Sequence, residues 1–131
     1  MSDHASVLFA NEAFYIAFAN RDLDAMSEVW TKAAAITCIH PGWLVLTDRE
    51  EVMASWEAIL AGPGSPGIFC EKAVAHVFGD TAYAFCNFHF EGDIKRLAET
   101  FVTGGRNTFI LHRQNGVWKV IHYHESRPHT S

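Results

Sequence analysis

The sequence predicts an α+β fold, with three N-terminal helices packed on one side of a long antiparallel sheet. Apolar residues recur at helical spacing in the first half of the chain and alternate with a period of two from Ile68 onward. Short turn sequences separate the alternating segments, which is typical of antiparallel strands. Since the chain has 131 residues and is 49% hydrophobic, we expect a single domain over residues 1–131.

The first two helices are predicted to form a hairpin. From Val7 to Phe18 the apolar residues follow helical spacing, which predicts an amphipathic helix over residues 3–20. Asp22 comes after a polar break and is suited to cap a second helix. The apolar residues of that helix lie between Leu23 and Trp30.

A short strand and a third helix are predicted next. Residues 34–40 have the β-branched content of a short strand, and residues 44–46 can form a second one. The sequence Thr47-Asp48-Arg49-Glu50 is a capping box, so we expect the third helix to begin there. Its apolar stripe ends at Leu60, and the Gly- and Pro-rich segment over residues 62–67 terminates it.

Long strands make up the second half of the chain. The alternating pattern predicts strands over residues 68–78, 81–91, 101–113 and 117–125. The turns that join them are predicted at Gly79-Asp80, Gly92-Asp93 and Asn115-Gly116. Gly104-Gly105 indicates a bulge or a bend.

Both faces of this sheet carry apolar side chains. Strict alternation places Trp118, Val120, His122 and His124 on one face of the last strand, and the odd positions on the other. We expect the even face to be too apolar for water, and therefore to bind a second copy of the chain as a homodimer through the outer sheet face. The apolar residues of that face are Ala84, Cys86, Phe88, Phe90, Trp118 and Val120.

Composition excludes several classes of partner. The formal net charge is −5 and the chain has no cluster of Lys and Arg, so we expect no nucleic acid and no anionic membrane as a partner. No apolar run is long enough to cross a bilayer, and the start of the chain does not resemble a signal peptide. The three cysteines have no CxxC spacing, which indicates reduced core thiols in a cytoplasmic protein.

Two segments resemble a known family. The ending Gly116-Val117-Trp118-Lys119-Val120-Ile121-His122-Tyr123-His124-Glu125-Ser126 is similar to the last strand of the association domain of calcium/calmodulin-dependent protein kinase II. Ile36-Thr37-Cys38-Ile39-His40-Pro41-Gly42-Trp43 is similar to a segment of bacterial SnoaL-like proteins. The chain is therefore identified as a member of the nuclear transport factor 2-like or SnoaL-like superfamily. That resemblance implies a cystatin-like cone, in which the strongly curved sheet and the helices enclose a pocket.

The resemblance also implies which residues belong to the pocket. In steroid delta-isomerases of this fold, a helix tyrosine and a base before a proline align with Tyr15 and His40, which are the expected catalytic residues. The expected ligand-binding residues are Trp30, Trp43, Trp56, Asn87, His89, Phe109, Tyr123 and Glu125. The kinase association domain carries arginines at the positions of Asn87, Phe109 and Glu125, so its anion-binding cluster is absent from this chain.

Each candidate also has a purely structural interpretation. His40 can act as a base with Tyr15 as the donor to an oxyanion, or both can be hydrogen-bonded core residues. His122 and His124 have the spacing of a chelating pair, but no Cys or His spacing supplies a closed four-ligand site. We therefore expect no metal and no cofactor.

Three functional classes stay open. The first is a protein with a pocket for a small hydrophobic ligand, acting as an isomerase, cyclase or dehydratase-like enzyme on a carbonyl compound by His/Tyr acid–base chemistry. The second is a non-catalytic ligand-binding protein, and the third is an oligomeric association domain. One scaffold serves all three classes, so the choice depends on the chemistry of the pocket.

Overall fold

In the computed structural model of the protein, which describes residues 2–62, 68–90 and 104–127, three helices pack on one face of a five-stranded sheet. The helices are α1 (Asp3–Ala19), α2 (Leu23–Val29) and α3 (Arg49–Ala61). The strands are β1 (Thr37–Ile39), β2 (Ile68–Phe78), β3 (Thr81–Phe90), β4 (Gly105–Gln114) and β5 (Val117–Ser126). The predicted α+β fold is confirmed.

The sheet has the strand order β1-β5-β4-β3-β2. The long strands are antiparallel as predicted, but β1 is added at the edge parallel to β5, with Cys38 opposite Tyr123. The sheet is therefore mixed. The predicted strand over residues 44–46 is reduced to a single bridge between Leu46 and Cys38. Parallel pairing brings the residues that follow β1 close to the end of β5.

Caps and turns agree with the sequence in most places. The side chain of Asp22 accepts a hydrogen bond from the Ala25 amide at 3.0 Å, as expected for an N-cap. At α3 the cap is Asp48, and not the first residue of the predicted capping box. Asn115 and Gly116 both have positive φ, 53° and 78°, which is the conformation of a tight hairpin turn. The predicted turn at Gly92-Asp93 lies outside the described residues.

A bulge in β5 changes which side chains face the helices. Ile110 pairs with His122 and Leu111 pairs with Val120, so Ile121 is an extra residue in β5. One additional residue reverses the alternation of side chains beyond it. The residues of β5 that are buried beneath the helices are Trp118, Val120, Tyr123 and Glu125.

On β3, the outer face of the sheet, which is the face away from the helices, is formed by the odd positions and not by the predicted even ones. Trp118 and Val120 of β5 are also buried on the inner face, whereas His122 and His124 lie on the outer face as predicted. Ala84, Cys86 and Phe88 are buried under the helices, and the side chain of Phe90 is not described. The prediction that this even face binds a second copy was wrong, because α1 and the aromatic core already cover it. The outer face carries Val74, His76, Phe78, Tyr83, Phe85, Thr108, Ile110, His122 and His124.

Packed aromatic rings fill the space between the helices and the sheet. Phe14 of α1 lies at the centre of this cluster, with ring centroids 5.3 Å from Trp56, 4.9 Å from Phe109 and 5.2 Å from Tyr123. All these rings are fully buried. The interior beneath α1 is thus a close-packed core, and within the described residues open space lies towards one end of it.

Candidate active site

The open space is a pocket of about 330 Å³ at the end of the sheet where β1 and β5 meet. A turn after β1, closed by the hydrogen bond from the Trp43 amide to the His40 carbonyl at 2.9 Å, forms one wall. Helices α1 and α3 form the others. The lining residues are Phe18, His40, Pro41, Trp43, Trp56, Ile59, Glu125 and Arg127.

His40 is the central titratable group of this pocket. Its side chain is 3% exposed, and its Nε2 atom lies 2.9 Å from the Ser55 hydroxyl and 3.5 Å from the Cys38 sulfur. The Ser55 hydroxyl donates its single proton to the Val52 carbonyl at 2.6 Å. Ser55 must therefore accept from His40, which places the imidazole proton on Nε2 and leaves Nδ1 as the basic nitrogen.

The neutral form of His40 is favoured by its surroundings. Burial lowers the pKa of His40, and the nearby charge of Glu125 raises it to a smaller degree. A histidine with a lowered pKa is uncharged at neutral pH, so it can accept a proton. Within the described residues, the hydrogen bonds of this ring are made through Nε2 alone.

A buried carboxylate completes the polar part of the pocket. Glu125 accepts a hydrogen bond from the Tyr123 hydroxyl and another from Nε of Arg127. Burial, and then the charge of Glu125, raise the pKa of Tyr123, so its hydroxyl stays protonated. Since Arg127 balances the charge of Glu125, the pocket as a whole is close to neutral.

Aromatic side chains surround the imidazole of His40. The ring centroids of Trp43 and Trp56 lie 4.9 and 4.8 Å away, and that of Tyr123 lies 6.0 Å away. Trp43 is half-exposed at the mouth of the pocket, whereas Trp56 and Tyr123 are fully buried. The imidazole of His40 thus lies between a half-exposed indole at the mouth of the pocket and fully buried rings on its other sides.

Tyr15 is not brought to His40. Its hydroxyl accepts a hydrogen bond from Asn107 Nδ2 at 2.9 Å and lies 2.9 Å from the Cys86 sulfur, inside the core. Burial is the main reason that the pKa of Tyr15 is raised well above its usual range. Three other predicted ligand residues, Trp30, Phe109 and Tyr123, are also buried in the core and do not line the pocket.

Asn87 and His89 lie on the outer face of the sheet, so their assignment to the pocket is corrected. Asn87 is opposite the exposed Arg106, and His89 Nε2 lies 2.6 Å from an oxygen of Glu71. These two residues were assigned to the wrong face for the same reason as the even residues of β3. On β3 the odd residues point away from the helices, and no signal in the sequence distinguishes two faces that are both rich in aromatic residues.

Several pocket residues were not expected from the sequence. Phe18 and Ile59 belong to the helical stripes that predicted α1 and α3, and their position at the open end of the core distinguishes them from core residues. Ser55 does not line the pocket, but it is buried beside His40 and accepts its hydrogen bond. The sequence signal for Ser55 was its position: it is a polar residue directly before Trp56 in a largely apolar helix. Arg127 lies beyond the predicted end of the last strand.

A second, larger cavity of about 470 Å³ lies on the other side of α1, next to α2 and the turn between β4 and β5. Its walls are mostly apolar and include Phe9, Ile16 and Val117, with Glu28 and Lys119 as the charged residues. Unlike the pocket at His40, it contains no buried ionisable side chain. Among the described residues, no three His, Cys, Asp or Glu side chains come together in the way that a metal site requires.

The chain belongs to the SnoaL-like family, since the family model of the SnoaL-like domain matches residues 7–130. It is similar to a candidate dehydratase of the NTF2-like family from Streptomyces avermitilis, with 30% identity, a TM-score of 0.78 and coverage of 98% of this chain and 97% of that one. It is also similar to a candidate calcium/calmodulin-dependent protein kinase type II association domain from Thiobacillus denitrificans. For that structure the identity is 27%, the TM-score is 0.76, and 92% and 93% of the two chains are covered.

A plant protein also matches most of the chain. The F-box protein SKIP8 of Arabidopsis thaliana is 22% identical over 121 residues, which are 92% of this chain and 49% of the plant protein. The chain thus spans about half the length of this curated relative.

Proposed function

We propose that the protein is a cofactor-independent enzyme that moves a proton on a small hydrophobic carbonyl compound, with His40 as the base. The observation that carries the proposal is the buried, neutral His40, whose tautomer is set by Ser55 and whose Nδ1 is left as the acceptor. The similarity to a candidate dehydratase supports this class of chemistry.

In the proposed reaction, Nδ1 of His40 takes a proton from the carbon next to the carbonyl group, the electrons of the C–H bond form a C=C bond, and the π electrons of the carbonyl move to its oxygen. The charge of Glu125 favours the imidazolium that forms. The positive charge of Arg127, at the wall of the pocket, offsets the negative charge of the oxygen. In an isomerisation the carbonyl re-forms and the imidazolium gives the proton to another carbon. In a dehydration the carbonyl re-forms, the C–O bond at the β-carbon breaks with its electrons on the hydroxyl oxygen, and the imidazolium protonates that oxygen, so that water leaves.

Tyr15 has no role in this proposal, because its hydroxyl is bound to Asn107 and Cys86 in the core. The expected His/Tyr chemistry is thus revised to a histidine base assisted by Glu125 and Arg127. Glu125 and Arg127 offset each other's charge and the other walls are mainly aromatic or aliphatic, which supports an uncharged ligand.

The first experiment is a screen of hydrophobic carbonyl compounds and carboxylates for thermal stabilisation. For any hit, Trp43→Ala should weaken binding, because Trp43 forms the mouth of the pocket. His40→Gln should keep binding but reduce turnover about a hundredfold or more. His4→Gln, in an exposed position of α1, is the matched control. Binding that is insensitive to Trp43→Ala would contradict this location, and turnover that survives His40→Gln would contradict the base.

We also propose that the protein is a homodimer, with the outer face of the sheet as the contact. Phe78, Tyr83 and Phe85 are exposed there, and their rings stack with centroids 5.9 and 6.2 Å apart. A chain with a net charge of −5 binds itself best through a face with few charges. The similarity to a candidate association domain supports assembly.

Light scattering tests this proposal. The wild-type protein should have twice the chain mass of 14.6 kDa. Phe85→Glu, at a side chain that is 39% exposed, should give a monomer because it buries a charge in the contact. Phe9→Glu, on α1 and 70% exposed, should stay dimeric. A dimeric Phe85→Glu together with a monomeric Phe9→Glu would indicate that α1 forms the contact. A monomeric wild-type protein would contradict the proposal.

We further propose a cytoplasmic location. No helix in the described part of the chain is long and apolar enough to cross a membrane. The proposal itself rests on the cysteines: Cys38, Cys70 and Cys86 are free thiols that are buried or half-buried, as is typical of a reducing compartment. Fractionation of cells that produce the protein, followed by titration of its thiols after unfolding, tests it. A disulfide-bonded product outside the cytoplasm would contradict it.

A further inference from the structure

The outer face of the sheet carries a regular set of histidines. Cross-strand pairing aligns His76, Tyr83, Ile110 and His122 in one row of the sheet. The next row is formed by Val74, Phe85, Thr108 and His124. His112 lies in a third row, opposite Thr81 and Lys119. The exposed aromatic rings therefore lie among imidazoles.

Few acidic groups are near these histidines. Among the described residues, the carboxylate on this face is that of Glu71, which is already bound to His89. Arg106 adds positive charge at one end of the face, and Lys119 lies at the other end, where its ammonium group is paired with Glu28 of α2. Protonation of the histidines would therefore add charges of one sign to a surface that cannot neutralise them.

We propose that the outer face is a pH-sensitive contact, which holds two copies together when His76, His122 and His124 are neutral and releases them when these histidines are protonated. This inference rests on the proposed homodimer. In a two-fold contact the same face is present on both sides, so every proton that one copy binds has a counterpart on the other. Like charges that are buried together without partners oppose association.

The surroundings of His122 illustrate the effect. Thr37 of β1 hydrogen-bonds Nδ1 of His122, Ile110 lies beside it on β4, and His124 follows on the same face. No acidic side chain of β1, β4 or β5 is on this side of it. Burial, and then the charge of His124, lower the pKa of His122 already in the single chain.

The sign of the pH dependence follows from proton linkage. The dimer binds fewer protons than two separate chains, so the contact is strongest above the usual histidine pKa of about 6.5 and weakens as the pH falls below it. Each proton taken up on dissociation raises the Kd about tenfold for each pH unit in that range. With several histidines in the contact, we expect the Kd to increase at least about a hundredfold between pH 7.5 and 5.5.

Sedimentation equilibrium at several pH values, with circular dichroism to verify that the chain is folded, tests the inference. The wild-type protein should be a dimer at pH 7.5 and largely a monomer at pH 5.5. The double variant His122→Gln/His124→Gln should stay dimeric and lose most of the pH response. His76→Gln should lose part of it, and the control His4→Gln, far from this face in sequence and exposed on α1, should lose none.

Failure of the pH inference and failure of the proposed homodimer give different experimental results. A wild-type dimer whose Kd is the same at both pH values would overturn the pH inference and leave the homodimer intact. A chain that is monomeric at every pH would overturn both. If the histidine variants, including His76→Gln, keep the full wild-type response, the titrating groups are elsewhere and the inference is wrong. If the double variant cannot dimerise at pH 7.5, the pH response of His76→Gln alone tests the inference.

Discussion

Replacing Ser55 by alanine tests the assignment of the basic nitrogen without any substrate. Ser55 and His40 are 6% and 3% exposed, and the Ser55 hydroxyl accepts from Nε2 of His40 at 2.9 Å. In Ser55→Ala the buried N–H keeps only the Cys38 sulfur at 3.5 Å, a weak acceptor. A buried donor without a good partner costs about 1–3 kcal/mol, so the free energy of unfolding should fall by about that amount.

Two measurements decide the matter. Urea unfolding of Ser55→Ala is compared with Ser126→Ala, an exposed serine at the end of β5, which should change stability by less than about 0.5 kcal/mol. Nitrogen-15 NMR of the His40 ring should show the proton on Nε2 in the wild-type protein and a mixture of tautomers in Ser55→Ala. A wild-type ring with its proton on Nδ1 would refute the proposed base, whatever the stability data show.

Two further predictions concern the charge of Glu125 and the hydroxyl group of Tyr15. Glu125→Gln removes the charge that raises the pKa of His40, so an NMR titration should show a lower pKa of His40 than in the wild-type protein. The exposed control Glu57→Gln should leave this pKa unchanged. A higher pKa of His40 in Glu125→Gln would contradict the electrostatic argument. Tyr15→Phe leaves Asn107 Nδ2 without its acceptor, so unfolding should require about 1–3 kcal/mol less while ligand binding at His40 persists. Loss of binding without loss of stability would restore Tyr15 to the site.

The same lowered pKa gives a stability prediction with a definite sign. His40 has a lower pKa in the folded chain than in the unfolded chain, where it takes its ordinary value near about 6.5. The folded state therefore binds fewer protons, and stability is lost as the pH falls through and below that value. This loss is separate from the dissociation of the dimer, because it appears in unfolding of the single chain and disappears in His40→Gln.

The sequence was sufficient for the order and type of the elements. Helical spacing in α1 and α3 and alternation in β2 to β5 are long, periodic signals, and Asp22 and Asn115-Gly116 mark boundaries by local chemistry. Short elements were less predictable. The segment over residues 34–40 forms a strand only at Thr37–Ile39, because its pairing depends on β5, which is distant in the sequence.

The two faces of the sheet were not predictable by counting. Alternation indicates which residues share a face, but not which face meets the helices when both are apolar. On β3 the small residues Ala82 and Ala84 lie beneath α1, where they leave room for the rings of Phe14 and Phe109. Tyr83 and Phe85 point outward. The volume that the helices require thus decides the direction, and that volume is known only once the layers are assembled.

The bulge at Ile121 connects the pocket to the outer face of the sheet. Without the extra residue, the alternation that buries Trp118 and Val120 would continue and turn His122 towards the helices, in place of Tyr123. The bulge instead places Tyr123 and Glu125 beside the end of β1, where His40 lies, and sends His122 and His124 outward. One inserted residue therefore supplies the carboxylate of the proposed active site and, at the same time, the imidazoles of the proposed pH-sensitive contact.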